Sequence, residues 1–224
     1  MKKPSNDNNF IYLTIALVLL LMVAALIDQF PVGWGQQLVQ AASIITVAAG
    51  INSVSSSRNW FGTGIGFLIA IMVVAGLGLW LEHAELDYLH LLILIGFYLY
   101  ASYQAAKQVL FTGPIDFNKI VGAICIYLLM GLVWGLSYLF IAQVIPGSFN
   151  GLEQLPWYDN FADVAYYSFV TLTTLGYGDI SPVAPVARFL VYMEAIFGVF
   201  YMAVLVASLI GIKTTAITSD SSHN

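Results

Sequence analysis

The stretch that decides the fold is Thr173-Thr174-Leu175-Gly176-Tyr177-Gly178-Asp179, in which two glycines alternate with bulkier residues. It follows a mixed segment, residues 160–173 (NFADVAYYSFVTLT). As a helix that segment would be about 21 Å long, too short for a bilayer core about 30 Å thick. Asn160 is of a residue type that caps helix amino ends. We therefore predict a re-entrant helix that stops midway, followed by an extended return chain.

Long apolar segments flank this region, at residues 120–144 before it and 186–212 after it. Non-helical backbone at membrane depth is tolerated only where protein buries it or where it lines a water-filled cavity. The order therefore predicts a long helix, a short re-entrant helix, an extended stretch and a second long helix, with the extended stretch buried by protein or lining a water-filled cavity.

The glycine stretch resembles the selectivity-filter signature of potassium channels, TTxGYGD, with Leu175 at the position where valine is commonest. The resemblance covers Ile120–Gly211. It implies that Gly176 and Gly178 adopt positive φ, so that successive carbonyls point inward toward a dehydrated ion. The implied filter residues are Thr174, Leu175, Gly176, Tyr177 and Gly178, with K⁺ bound by the carbonyls of Thr174, Leu175, Gly176 and Tyr177.

The resemblance also implies the assembly. One filter strand cannot surround an ion, and the chain has one signature, so four copies would meet on one axis as a homotetramer. The lipid bilayer and K⁺ are then the other partners. K⁺ is the permeant ion, and no cofactor is expected.

Filter support is implied at Thr173, Tyr166, Tyr167 and Asp179. Related channels carry an acid on the pore helix that partners this aspartate, but Val170 occupies the matching position here. We predict that Tyr166 donates a hydrogen bond to Asp179 and that Tyr167 braces the outer filter near Tyr177. The alternative is that both tyrosines only fill space between subunits.

On the inner helix, Arg188 and Gly198 match the family's outer basic residue and its glycine hinge. The same face would line the pore, with Ile210 as the favoured gate; an ordinary packing stripe is the alternative. Glu194 lies inside this helix, and we interpret it as a structural acid whose partner is Ser168, Thr171 or Thr173. The predicted pore-lining residues are Gly198, Val199, Met202, Val206, Ile210 and Thr214.

Composition agrees with a membrane protein. Of the 224 residues 60% are apolar and 8% are charged, whereas soluble domains carry about 25% charged residues. Seven Lys and Arg against twelve Asp and Glu leave no basic surface for nucleic acid. We predict an all-α fold with six spans, at about Phe10–Ile27, Leu38–Val54, Gly62–Leu81, Tyr88–Ala106, Ile120–Val144 and Val186–Ile212.

Basic residues concentrate on one side of this array, which places both termini in the cytoplasm of a multi-pass protein of the cell (plasma or inner) membrane. The first apolar run is longer than a signal-peptide core, and we interpret it as an uncleaved anchor. We divide the chain into a front module of four helices (1–112), a pore domain (113–213) and a short cytoplasmic tail (214–224).

The front module has no identified role. Its outer loop carries His83, Asp87 and His90 at helical spacing, a set that could sense pH or bind a divalent ion; a solvated loop is the alternative. The four helices contain no row of arginines in their interiors.

The leading function is a K⁺-selective channel, and a weakly selective cation channel is the nearest alternative. Gly176–Asp179 also reads as GxGD, the motif of intramembrane aspartyl proteases, which need a second aspartate within a helix. No other aspartate lies inside a predicted span. Because this second aspartate is missing, we expect a protein that is not an enzyme. A membrane scaffold with a non-conducting pore is a further alternative.

We predict that conduction depends only weakly on voltage. The field supplies about 2.3 kcal/mol per charge per 100 mV, and strongly voltage-gated subunits move about three to four charges. Current–voltage recordings from reconstituted protein measure this directly. A conductance that rises as steeply as in arginine-bearing sensors would contradict the prediction.

Overall fold

The computed structural model describes residues 9–29, 35–54, 58–81, 84–111 and 117–221. Within these ranges the chain forms seven helices and one small two-stranded ladder. The helices are α1 (Asn9–Gln29), α2 (Gly35–Ser53), α3 (Arg58–Leu81), α4 (Ala84–Phe111), α5 (Phe117–Val144), α6 (Phe161–Leu172) and α7 (Pro185–Ser221). The strands are β1 (Phe149–Asn150) and β2 (Ser181–Pro182).

Five of the described helices, α1, α3, α4, α5 and α7, are long and apolar enough to cross a membrane. The predicted second span falls within α2, which is more polar. Two of its hydroxyls are buried and donate to carbonyls of their own helix, Ser43 to Gln40 at 2.7 Å and Thr46 to Ala42 at 2.8 Å. The crossing of this sixth segment stays a prediction.

The front module attaches closely to α5. Helix α4 runs along α5, and α1 packs against α2, α5 and α6. At Gly122 of α5, an added Cβ would lie 2.6 Å from a Val109 methyl and 2.9 Å from the Phe10 ring. Glycine therefore permits three helices to meet at this point, and a larger residue would separate α5 from α1 and α4.

The loop before α6 attaches to the amino-terminal part of α4 through Trp157. Its indole is buried, stacks on the His90 ring at 5.1 Å, and donates to Asp87 Oδ1 at 3.1 Å. The packing of α4 thus extends to the loop that leads into the pore helix.

The short helix α6 lies between α5 and α7. On α5, Gly131 faces the Phe169 ring of α6, where an added Cβ would lie 2.4 Å from a ring carbon. The side chain of Ser168 reaches past this point and donates to the Gly131 carbonyl at 2.7 Å. Because Gly131 has no side chain, α6 can approach α5 closely at this point.

The ladder joins the two outer loops around α6. β1 and β2 pair antiparallel, with Phe149 opposite Pro182 and Asn150 opposite Ser181. Next to it, Gly151 has φ +76°, and an added Cβ would lie 2.1 Å from the Asp179 carbonyl oxygen. The loop before the pore helix is thereby held against the chain that leaves the glycine stretch.

The predicted all-helical class is confirmed, and the structure adds or changes three details. The first is the ladder, whose two-residue strands are too short to leave a periodic pattern. Asn160 occupies the N-cap position of α6, but its side chain makes no capping hydrogen bond, and its amide donates to the Glu153 carbonyl at 2.8 Å. Helix α7 continues through the predicted tail to Ser221, because residues 214–221 contain no glycine or proline to end it.

Two loop glycines make a matched pair for a stability test. Gly147 and Gly151 have φ of +74° and +76°, but only Gly151 has backbone within 4 Å of the position of a Cβ. Gly147→Ala should lower the free energy of unfolding by about 1–2 kcal/mol, the cost of a left-handed conformation. Gly151→Ala should lower it by about 1–3 kcal/mol more, because the chain must move. Equilibrium unfolding in detergent measures both, and equal effects would contradict the close approach.

Candidate ion-conduction site

The carboxyl end of α6 is closed by two backbone hydrogen bonds. The Thr174 N–H donates to the Thr171 carbonyl at 2.9 Å, and the Leu175 N–H donates to the Val170 carbonyl at 2.9 Å. This pair is the Schellman pattern, in which the residue after the cap adopts the left-handed conformation. That residue is Thr174, with φ +59°. The first residue of the glycine stretch therefore also ends the short helix.

Backbone handedness alternates along the stretch. Thr174, Gly176 and Gly178 have φ of +59°, +56° and +81°, and the residues between them do not have positive φ. Alternation of this kind turns successive carbonyls toward the same side. Two of the three positions are glycines, for which positive φ carries no Cβ penalty. The positive φ predicted for both glycines is confirmed, and Thr174 adds a third position that the sequence did not indicate.

The whole stretch from Thr173 to Asp179 is exposed on the single chain. Leu175 is 56% exposed and Tyr177 is 68% exposed. Both side chains are therefore largely uncovered within the single chain. Thr173, the cap residue of α6, instead donates its hydroxyl back to the Phe169 carbonyl at 2.7 Å.

Asp179 has the donor that the sequence predicts. The Tyr166 hydroxyl donates to Asp179 Oδ2 at 2.6 Å, and the Ile180 N–H donates to Oδ1 at 3.0 Å. The tyrosine bond, more than the backbone bond, holds the pKa of Asp179 below its usual value, against a smaller opposing effect of desolvation. The carboxylate is thus ionised at neutral pH even though Val170 replaces the family's acid.

Tyr167 takes a different position from Tyr166. It is buried, and its ring packs against Tyr138 at 5.4 Å and Phe149 at 5.8 Å. These contacts tie α6 to α5 and to the ladder within one chain. A brace between Tyr167 and Tyr177 stays a prediction.

Gly198 of α7 lies against the carboxyl end of α6. An added Cβ would lie 2.2 Å from the Leu172 carbonyl oxygen, and α7 remains helical through this position. The close approach of two helices is thus sufficient to account for this glycine. Its role as a hinge stays a prediction.

Three of the predicted pore-lining residues border one cavity. Gly198, Val199 and Met202 line a space of about 300 Å³ together with Thr173 and Thr174. The side chains of Val206, Ile210 and Thr214 lie outside the described residues, although their backbone belongs to α7. The structure therefore brings the upper part of the predicted face to the inner end of the glycine stretch.

Glu194 is fully buried and joins three helices. Ser168 Oγ of α6 lies 2.5 Å from Glu194 Oε1, and the Tyr138 hydroxyl of α5 binds Oε2. Ser168, one of the three partners predicted from the sequence, contacts Glu194. Thr171 is instead hydrogen-bonded to Tyr167. The acid therefore connects α7 to both other helices of this region.

Part of the chain is similar to known proteins. The model of the ion channel family matches residues 122–214. The chain is also 33% identical over 106 residues to the inward rectifier potassium channel Kirbac3.1 of Paramagnetospirillum magnetotacticum, over 47% of the chain and 32% of that protein. These matches support a potassium-channel family. No solved structure matches the chain significantly.

The family match begins at residue 122, so it leaves residues 1–121 without a counterpart. The chain spans about a third of the length of the relative it matches. In the front module, His83 lies outside the described residues, while Asp87 and His90 both contact Trp157. Among the described residues, no group of three or more His, Cys, Asp or Glu is placed to hold a metal.

Sequence reasoning missed two tyrosines within the region that the family model matches. Tyr138 binds Glu194, and the Tyr201 hydroxyl of α7 donates to the Ala123 carbonyl of α5 at 2.5 Å. Both lie in apolar helices that also contain other aromatic residues, so neither had a distinguishing pattern. A tyrosine in a span, whose hydroxyl needs a partner when buried, is the signal that could have found them.

Tyr166→Phe tests the bond to Asp179, because it removes one oxygen and almost no volume. We expect faster loss of K⁺ current during sustained opening, since the carboxylate at the outer end of the filter loses its side-chain donor. Acidification should act in the same direction only as pH falls through the lowered pKa of Asp179. Patch recordings of reconstituted protein measure the decay.

Tyr12→Phe is the matched control, since Tyr12 is an exposed tyrosine on α1. It should leave the decay unchanged. If Tyr166→Phe also decays at the parent rate, the bond does not steady the filter.

Proposed function

We propose that this chain is the subunit of a K⁺-selective channel that conducts passively across a membrane. The observation that carries the proposal is the alternating backbone handedness at Thr174, Gly176 and Gly178, within a region matched by the ion channel family. A row of carbonyls that faces one side can replace the hydration shell of an ion without using any charged side chain.

Positions of the neighbouring groups support the same reading. The carboxyl end of α6 lies at the inner end of the filter, where its partial negative charge favours a cation. Thr174, Gly198 and Met202 surround a cavity there. The proposed ion ligands are the carbonyls of Thr174, Leu175, Gly176 and Tyr177.

The proposed assembly is a homotetramer, because one filter strand offers oxygens from one side only. Two features of the single chain support it. Leu175 and Tyr177 are largely exposed, and only 11% of the span in α7 is buried, against 50% in α5. The exposed apolar residues of α7 include Val186, Phe189, Tyr192, Ile196, Val199 and Phe200.

The proposed topology has six spans and both termini in the cytoplasm, in accordance with the distribution of basic residues. In this topology α7 ends in the cytoplasm, and Ile210 and Val206 form the proposed apolar gate. Conduction is weakly dependent on voltage, because the front helices carry no row of gating charges.

Three other functions are less well supported. A weakly selective cation channel would use the same filter fold. Measurements of K⁺ and Na⁺ permeability distinguish it from a K⁺-selective channel. A GxGD protease needs a second carboxyl group beside Asp179, but the two oxygens of Asp179 are engaged by Tyr166 and by the Ile180 N–H. If the protein is a membrane scaffold with a non-conducting pore, we expect no current.

Gly178→Ala provides the test of selectivity. Gly178 has φ +81°, and nothing lies within 4 Å of an added Cβ in the single chain. The substitution therefore acts through backbone strain, of about 1–2 kcal/mol per subunit. We expect it to abolish selective K⁺ flux into liposomes.

Gly147→Ala, which has the same sign of φ in the outer loop, should leave flux intact and serves as the control. Equal K⁺ and Na⁺ permeability in the unmodified protein would overturn K⁺ selectivity. Absence of any flux would favour the scaffold.

A further inference from the structure

Glu194, Tyr138 and Ser168 form a buried polar cluster, here called the three-helix cluster, where α5, α6 and α7 meet. All three side chains are fully buried. Tyr138 Oη contacts Glu194 Oε2, Ser168 Oγ lies 2.5 Å from Glu194 Oε1, and Ser168 Oγ lies 2.7 Å from the Gly131 carbonyl oxygen. Oxygens at such distances are attracted only if a hydrogen lies between them. The three contacts therefore need three protons.

An ionised Glu194 leaves the cluster one proton short. A tyrosine and a serine hydroxyl each carry one hydrogen, whereas a carboxylate and a carbonyl only accept. Ser168 could then serve either Glu194 or the Gly131 carbonyl, and the other contact would join two acceptors. A protonated Glu194 supplies the third hydrogen.

The positions of the acceptors also assign the oxygen that carries the proton. With the proton on Oε1, Glu194 donates to Ser168, Ser168 donates to the Gly131 carbonyl, and Tyr138 donates to Oε2. With the proton on Oε2, Tyr138 becomes an acceptor and Ser168 still faces two acceptors. Only the first arrangement fills all three contacts.

The surroundings favour the neutral acid. Within the described part of the chain, three phenols face Glu194, namely Tyr127 and Tyr138 from α5 and Tyr167 from α6. On α7 itself, Arg188 directs its Nε to the Pro182 carbonyl at 3.3 Å. A buried carboxylate that has hydroxyls but no cation beside it is costly, and protonation removes that cost.

We propose that Glu194 is a proton-binding site of this protein, occupied at neutral pH, whose proton completes the hydrogen bonds that hold α7 to α6 and α5. Glu194 lies one helical turn before Gly198, on the same face of α7, and Gly198 lies against the end of α6 where the filter begins. Loss of the proton leaves one contact of the cluster unfilled next to that junction. The proton therefore regulates conduction, a consequence that rests on the proposed channel function.

The direction of the pH effect follows from the proton count. The contacts are complete while Glu194 is protonated and are lost as pH rises through the point at which the folded protein releases the proton. Alkaline conditions should therefore weaken the packing of α7 and reduce K⁺ flux.

Infrared difference spectroscopy of the full-length protein in liposomes tests the site without relying on conduction. At neutral pH, the parent should show a protonated carboxyl carbonyl band that is absent from Glu194→Gln and disappears at alkaline pH. Glu153→Gln, which changes an exposed acid of the outer loop, should leave the band in place. Identical carboxyl-region spectra of the parent and Glu194→Gln would overturn the proposal.

Ser168→Ala is a second variant that keeps the acid and removes the acceptor of its proton. It should shift the carbonyl band of Glu194 instead of abolishing it, and a band at the parent position would overturn the assigned hydrogen bond. This variant keeps the test decisive if Glu194→Gln does not fold.

Potassium flux across the same pH range tests the regulatory part. Parent flux should fall with the midpoint at which the infrared band disappears, and flux through Glu194→Gln should lose this dependence. A titrating band with pH-independent flux overturns the regulation and supports the proton site. A titrating band in a protein that conducts no ion overturns the proposed function instead, so the two failures are distinguishable.

Discussion

A stretch of non-helical backbone, residues 173–179, is the constraint on which the rest of the structure depends. It belongs to no helix or strand, so neighbouring elements must hold its conformation. At one end, two backbone hydrogen bonds join Thr174 and Leu175 to the last turn of α6. At the other end, Tyr166 binds Asp179, and the loop at Gly151 lies against the Asp179 carbonyl. The glycine stretch is thus held by the helix that precedes it and by the loops that flank it.

Helix α6 can hold the filter only if it is itself held. Glycine at position 131 lets α6 approach α5, and glycine at position 198 lets α7 approach the end of α6. The three-helix cluster links the same helices by polar contacts in an otherwise apolar region. Close backbone contacts position the helices, and the buried polar groups fix their register, because each hydroxyl and carboxyl group needs a specific partner.

The front module contacts helix α5 and the loop before α6 at two separate places. Near Gly122, α5 contacts both α1 and α4. At the outer side, Trp157 links the loop before α6 to Asp87 and His90 of α4. Movement of α4 would therefore reach the loop that leads into the pore helix. Neither nitrogen of the buried His90 ring has a hydrogen-bond partner, so the stacked indole is its principal contact.

The sequence by itself determined the membrane class, the order of outer helix, short helix, extended stretch and inner helix, and the positive φ at Gly176 and Gly178. These follow from apolar length and from glycine spacing, which are local properties. It also indicated the bond between Tyr166 and Asp179, through the resemblance and the missing acid at Val170. Only the tertiary structure decided that Tyr138 binds Glu194, that Asn160 binds a loop carbonyl instead of capping α6, and that Gly151 lies against Asp179. Each of these depends on which surfaces meet across tens of residues, and a periodic or compositional pattern along one segment contains no information about its distant partner.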